Sequence, residues 1–233
     1  MTPRVARSPS RGFFVTGTDT GVGKTLACCA LLCGFAALGK SVIGMKPVAC
    51  GAARGAQGLI NADVAQLRAA ANVDAPLALV NPYCFEPPIA PHVAAAQAGV
   101  AIDLGHIVHA YKQLAAAADF VIVEGVGGFC VPLNHSDDSA DLAEYLRLPV
   151  ILVVGVRLGC LNHALLTAQA IRARKLTLAG WIANRIDPTM DVAKQNITAL
   201  AERLAAPLLG EIDFAMAPDS RRVSPLLDLS RLC

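Results

Sequence analysis

Phe13-Phe14-Val15-Thr16-Gly17-Thr18-Asp19-Thr20-Gly21-Val22-Gly23-Lys24-Thr25 is the stretch on which the reading of this chain turns. A short apolar run ends in a glycine-rich turn, and the turn closes on Gly23-Lys24-Thr25 at the mouth of an apolar helical stretch. That is the layout of a phosphate cradle. Backbone N–H groups of such a turn, with the positive end of the helix behind them, face an anion. The lysine reaches the outer phosphates and the threonine hydroxyl can ligate Mg²⁺. One spacing departs from the common pattern, which puts its first glycine five positions before the second. Here Thr18 stands there, and Gly17 lies one residue further out. A strand before and a helix after make a chance glycine turn the weaker explanation. The stretch implies a nucleoside triphosphate.

Composition sets the limits around it. A chain of 233 residues without an evident linker is expected to form a single α/β domain over residues 13–233, burying roughly 70–75% of its extended surface. The hydrophobic fraction of 55% and mean hydropathy of +0.50 are high, but the longest apolar run, residues 26–39, falls short of the roughly 20 residues a membrane span needs. No membrane partner is expected. The net charge of +2 is spread without a basic face, and aromatics are 5% of the chain, so nothing points to nucleic acid. The eight cysteines are scattered and make no Cys-x-x-Cys pair. They read as free thiols of a reducing cytoplasm, not as disulfides or a zinc site. Residues 1–12 hold Arg4, Arg7 and Arg11 with no acid. They are too short for a transit peptide and lack the apolar centre of a secretory signal, and are expected to be a disordered tail.

From Phe13 onward, strand and helix patterns alternate. Strands are predicted at 13–16, 41–48, 120–124, 149–156, 178–184 and 208–212, and helices at 24–38, 61–71, 103–118, 138–146, 162–174 and 190–204. Gly39 is placed to end the first helix and Asn61 to cap the second. Residues 76–91 carry five prolines and read as an irregular surface loop. Strands this apolar, separated by helices, imply a mainly parallel sheet with helices on both faces, a P-loop NTPase-like fold. Ligands in such sheets sit beyond the carboxyl ends of the strands.

The chemistry-bearing residues fall there. Glu124 ends the run Phe120-Val121-Ile122-Val123-Glu124, and a carboxylate at that place beside a P-loop serves Mg²⁺ directly or through water; the alternative is a solvated strand-end acid. From spacing alone Asp63 is equally a metal ligand or an acid favoured by a helix start. Lys46, beside Pro47, can form a two-lysine clamp with Lys24 on developing phosphoryl charge, or be a surface lysine. Asn184 can read a purine edge. His106 and His109 lie three apart on one helix but have no third ligand, and a solvated helix face accounts for them. The residues alone thus reach an Mg²⁺- and nucleotide-dependent phosphoryl-transfer site, without a second substrate.

A set of motifs goes further. Gly17 through Thr25, Lys46-Pro47-Val48-Ala49-Cys50-Gly51, Glu124-Gly125-Val126-Gly127-Gly128, the run from Gly155 to His163, and the strand from Leu178 to Asn184 closely resemble the dethiobiotin synthetases. So do Val80-Asn81-Pro82-Tyr83 and the run from Pro207 to Ile212. The displaced first glycine is a feature of that family. The resemblance implies a cytoplasmic, homodimeric ligase that joins 7,8-diaminononanoate and CO₂ at the expense of ATP, through a carbamate and a carbamic-phosphoric anhydride. It implies Lys24 and Lys46 as the charge clamp and Thr25, Asp63 and Glu124 as Mg²⁺ ligands. Thr20, Gly21, Val22, Gly23, Lys24 and Thr25, with Gly125, Val126 and Gly127, would line the phosphates. Asn184 with Asp213, Phe214 and Ala215 would hold adenine. Cys50 would contact the diamine, and Cys160, Leu161 and Asn162 of the opposite subunit would receive its carboxylate, with Arg157 nearby as an added positive charge or a solvated arginine.

Two positions depart from the family. Gly21 replaces a carboxylate that some members carry in the loop. Cys50 stands where a hydroxyl often contacts substrate, and a thiol is the weaker donor. Two alternatives of the same P-loop class are an ATPase switch of the partition type and a nucleotide-sensing module. The first places a lysine where this chain has Asp19. The second is disfavoured because both lysines and all three candidate metal ligands are present.

Overall fold

The computed structural model describes residues 11–56 and 58–232; the expected tail at 1–10 and the thiol of Cys233 lie outside the described residues. Strand β1 (Arg11–Gly17) is buried on both faces over residues 12–17, as befits a strand inside the sheet rather than at its edge. Arg11 and Gly12, expected in the tail, pair with Phe120 and Val121 and belong to this strand. Its side chains alternate between two cores. Phe13 and Val15 face the helix α1 (Lys24–Ala37), and Phe14 faces the helices on the other side. Phe13, Phe35 and Phe120 stack with centroids 4.3–6.3 Å apart and join α1 to the sheet.

The other strands are β2 (Val42–Met45), the short β3 (Val48–Cys50), β4 (Ala53–Gly55), β5 (Gly58–Ile60) and β6 (Tyr83–Phe85), then β7 (Phe120–Glu124), β8 (Val150–Val156), β9 (Leu178–Arg185) and β10 (Leu208–Ile212). The main sheet has six strands in the order β10-β9-β8-β1-β7-β2, all parallel. Seven further helices complete the two faces and the crossovers: α2 (Ala62–Ala70), α3 (Leu77–Val80), α4 (Pro91–Gln97), α5 (Leu104–Ala117), α6 (Ser139–Leu146), α7 (Cys160–Ala173) and α8 (Ala193–Arg203). No described helix is long and apolar enough to cross a membrane.

Capping chemistry sets several boundaries. The Asn61 side chain accepts from the N–H groups of Asp63 and Val64, and Asp138 and Asp141 form a reciprocal capping box at α6. Gly39, at φ +74°, ends the turn after α1 as expected.

Three expectations need correction. The strand predicted over 41–48 breaks at Lys46-Pro47: Pro47 has no N–H for the ladder, and Lys46 donates its N–H to Val80 O at 2.8 Å. The chain beyond becomes β3, which pairs with β6 in a small parallel sheet of its own. The proline-rich segment 76–91 is not an irregular loop, since it contains α3 and β6 and runs into α4 with Pro91 at its first turn, where a missing N–H costs nothing. Between residues 48 and 61, where neither strand nor helix is predicted, lie the two strands β4 and β5, paired antiparallel.

The segment after Ile212 also has a role that the sequence left open. Helix α9 (Ser220–Val223) and two 3₁₀ turns lay Val223, Leu227, Leu229 and Leu232 on the α1 side of the core. That explains why α1 is apolar all round: it is covered by the sheet on one side and by this segment on the other.

Candidate functional site

Because the six strands of the main sheet run parallel, their carboxyl ends meet at one edge, with the β1–α1 loop at the middle. Gly21 and Gly23 take φ of +73° and +89°, left-handed values that favour glycine. At Gly23 the requirement is also steric, because a Cβ there would stand 2.2 Å from Asn184 Nδ2. That same Asn184 nitrogen, at the end of β9, donates to Val22 O at 2.8 Å. The loop is thus held from below by a strand two places away in the sheet. Helix α1 starts at Lys24, so its free N–H groups and positive end point into the space the loop encloses. Lys24 Nζ donates to Asp19 O at 2.9 Å, folded along its own loop.

The centre of the site is a buried charge cluster. Lys46, carried past the end of β2, donates to Glu124 Oε1 at 2.5 Å and to Asp63 Oδ2 at 2.6 Å. Thr25 Oγ1 donates to the same Glu124 oxygen at 2.9 Å. Side-chain exposure falls from 38% for Asp63 to 6% for Lys46 and 1% for Glu124, so only the aspartate shares its charge with solvent. Asp63 owes its place to the Asn61 cap, whose amide also donates to Cys50 O at 3.2 Å. Glu124 Oε2 is buried with no hydrogen-bond partner.

Burial opposes the charged form of each buried member. It lowers the pKa of Lys24, with Glu124 as the main opposing influence. Burial also works against the Lys46 charge, but Glu124 and Asp63 overcome it and hold the ammonium above its ordinary value. Glu124 is raised by burial, and Lys46 is the largest influence restraining it.

A cavity of about 740 Å³ opens over this cluster. Of the residues singled out from sequence, Thr20, Gly21, Gly23, Lys24, Thr25, Lys46, Cys50, Asp63, Glu124, Val126 and Gly127 line it. Val22 is buried beneath the loop, and Gly125 packs on the Phe14 ring. Asn184 sits under the loop. Asp213, Phe214 and Ala215 are exposed beyond β10, where Asp213 pairs with Arg185 at 3.4 Å, and they do not line the cavity. Cys160, Leu161 and Asn162 open α7 outside the cavity, with Cys160 buried and Asn162 exposed. His106 and His109 are exposed on α5.

Sequence reasoning missed the wall made by Pro88, Ile89, Ala90 and Pro91. The prolines were the available signal, but they read as a surface loop. It also missed the ion pair between Arg157 and Asp19 at 2.6 Å.

The site's donors suit a hard cation. Thr25, Asp63 and Glu124 offer only oxygen, and the orphaned Glu124 Oε2 is a buried acceptor with nothing to accept from. Among the described residues no three His, Cys, Asp or Glu side chains form a metal-binding group, so such a cation would take water and phosphate oxygens for the rest.

Sheet order, glycine loop and lysine together define a P-loop nucleotide-binding α/β protein. Residues 11–219 match the AAA domain family model. The chain belongs to the ATP-dependent dethiobiotin synthetases. It is 55% identical over 222 residues to the ATP-dependent dethiobiotin synthetase BioD of Nitrosospira multiformis, covering 95% of this chain and 96% of the relative. The enzyme of the same name from Aromatoleum aromaticum is 56% identical over 94% of this chain and 97% of its own. Among solved structures, the septum site-determining protein MinD complexed with Mg-ADP, from Pyrococcus horikoshii, aligns with a TM-score of 0.54 at 16% identity, over 95% of this chain and 88% of that one. The cell division protein FtsY of Thermotoga maritima aligns with a TM-score of 0.51 at 20% identity, over 94% and 66% respectively. These two share the fold alone.

Removing Lys46 isolates Glu124. Lys46→Ala is expected to destabilise the fold by roughly 3 kcal/mol at pH 7.5, the scale for stranding one member of a buried ion pair. The loss should depend on pH in a defined direction. Glu124 already has a folded pKa above its unfolded value, and without Lys46 the gap widens. Stability linked to its protonated form is complete below the unfolded pKa and is lost as pH rises through the folded one. Urea denaturation of both proteins at pH 5.5 and 7.5 should therefore show a smaller deficit for the variant at the lower pH. An equal deficit at both would mean that Glu124 stays ionised without Lys46.

Proposed function

We propose that this chain forms dethiobiotin from 7,8-diaminononanoate, CO₂ and ATP, with Mg²⁺, as a cytoplasmic homodimer in biotin biosynthesis. What carries the proposal is the convergence of Lys24, Lys46, Thr25, Asp63 and Glu124 on one cavity, in a chain 52–56% identical to curated ATP-dependent dethiobiotin synthetases.

One amine of the diamine adds to CO₂ and loses a proton, giving a carbamate. A carbamate oxygen attacks the γ-phosphorus and ADP leaves. The second amine then attacks the carbamoyl carbon of the mixed anhydride, loses a proton, expels inorganic phosphate and closes the ureido ring. A carbamate is a weak nucleophile, so positioning and charge stabilisation carry most of the barrier.

Thr20, Gly21, Val22, Gly23 and Thr25, with Gly125, Val126 and Gly127, cradle the phosphates. Lys24 leaves Asp19 O for the outer phosphates. Lys46 stabilises the phosphoryl group and the carbamate. Thr25, Asp63 and Glu124 would hold Mg²⁺, which would supply charge neutralisation at the phosphate oxygens. Lys46 is paired with the same two carboxylates that would hold the cation, so the ammonium and the metal would compete for them.

Asn184 with Asp213, Phe214 and Ala215 receives adenine. The Asn184 nitrogen is engaged by Val22 O, which leaves its carbonyl for the exocyclic amine of the base. Cys50, on the cavity wall, meets the diamine. The carboxylate rests on the start of the partner subunit's α7, at Cys160, Leu161 and Asn162. Leu158 beside it is 90% exposed and Leu166 is exposed one turn on, an apolar surface that supports burial against a second copy. The free thiols among the described residues support a reducing compartment.

Phosphate release from ATP with bicarbonate tests the reaction. It should require the diamine and yield one dethiobiotin per phosphate by mass spectrometry. Release at the same rate without the diamine would instead indicate an ATPase switch.

Complementation tests the shared site. Asn162→Asp sets a negative charge against the carboxylate and should raise the diamine KM by about one to two powers of ten, with ATP binding kept. Mixing it with inactive Lys46→Ala should restore part of the activity. No recovery, with subunit exchange demonstrated, would place the whole site within one chain.

A further inference from the structure

Arg157 lies in the turn between β8 and α7, three residues before the start of the proposed carboxylate site, where its charge has an evident use. The structure gives it another partner. Its guanidinium donates to Asp19 Oδ2 at 2.6 Å, across 138 positions of sequence. Asp19 is part of the phosphate cradle. Its backbone carbonyl accepts from Lys24 Nζ, its other carboxylate oxygen accepts from Thr20 N at 2.7 Å, and the residue lines the cavity. The two segments are joined twice more, by Thr18 N to Val153 O at 3.0 Å and by Gly155 N to Thr18 Oγ1 at 3.3 Å.

The charges around the cavity make this contact matter. Asp19, Asp63 and Glu124 are three carboxylates, and Lys24 and Lys46 supply only two ammonium groups. The carboxylates outnumber the ammonium groups by one, and the Mg²⁺ proposed for Asp63 and Glu124 would not relieve the charge that Asp19 sets against a triphosphate. Asp63 and Glu124 are already matched to Lys46; Asp19 is the carboxylate left over, and it stands in the loop that must wrap the phosphates. We propose that Arg157 is a positioning residue for the nucleotide: by neutralising Asp19 it lets the cradle accept the triphosphate, and it does not serve the substrate carboxylate. The inference rests on the proposed binding of ATP in this cavity.

The pair is half-exposed at 43% and 47%, so breaking it should cost little stability. Calorimetric titration with the Mg²⁺ complex of a non-hydrolysable ATP analogue tests the idea on the wild type, Arg157→Ala, Asp19→Asn and the double variant. Arg157→Ala should bind roughly tenfold more weakly at low salt, an unscreened charge in the loop being the cause. The double variant should return to within about twofold of wild type, because the carboxylate that needed neutralising is gone. Arg157→Lys should keep most of the affinity. In turnover, Arg157→Ala should raise the ATP KM and leave the diamine KM unchanged.

Equal weakening in the single and double variants would reduce Arg157 to a structural tie and overturn the proposal. So would a rise confined to the diamine KM, which would return Arg157 to the substrate carboxylate. A wild-type protein that does not bind the analogue would instead remove ATP binding itself, and this inference with it.

Discussion

The Lys46 ammonium, held between Glu124 and Asp63, is the contact the rest of the site depends on. Glu124 is nearly inaccessible to solvent at the end of an apolar strand, a position that disfavours a carboxylate unless a cation stands against it. Lys46 is almost as buried, so neither charge is stable there alone. A site of this kind is costly to keep, and a packed apolar pair would serve the fold better. Its retention is intelligible if the carboxylates have another cation to hold and the ammonium another anion to meet.

The sheet makes that arrangement possible. Thr25 follows β1, Lys46 follows β2 and Glu124 ends β7, and these three strands lie side by side with β7 in the middle. A parallel sheet brings the ends of all three to one edge, although Thr25 and Glu124 are 99 positions apart in sequence. Asp63 arrives differently, on the first turn of α2, and is set there by the Asn61 cap. On the other side of β1, strand β8 ends at Val156 and delivers Arg157 to the loop, while β9 supports the loop through Asn184.

Much of this was legible in the sequence, for physical reasons that differ by residue. Lys24, Thr25 and Glu124 could be placed because a glycine turn and an apolar strand are local patterns with few other uses. The strands at 120–124 and 208–212 and the capping by Asn61 were legible for the same reason. Asp63 and Lys46 could not be decided from spacing, because what distinguishes them from surface charges is the partner each meets across the sheet. The break after Met45 was hidden by the continuity of the apolar run, although Pro47 marked it. The proline-rich wall at Pro88 and Pro91 was hidden because proline signals irregular chain equally well when it caps a helix or lines a cavity. Arg157 was near enough to α7 to suggest the substrate carboxylate, and only the folded chain reveals Asp19 as its partner. The segment after Ile212 carried no motif, since its contribution is to cover α1.

Lys46 and Mg²⁺ are proposed to contend for the same two carboxylates. Titration of Mg²⁺ into the nucleotide-free protein, compared between the wild type and Lys46→Met, tests it most directly. Methionine keeps the length of the side chain and removes the charge. If the ammonium is the competitor, the variant should bind Mg²⁺ about tenfold more tightly or better, since two carboxylates are left without a cation. Unchanged or weaker Mg²⁺ binding would show that Lys46 does not compete with a cation at Glu124 and Asp63, and would contradict their assignment as the metal site.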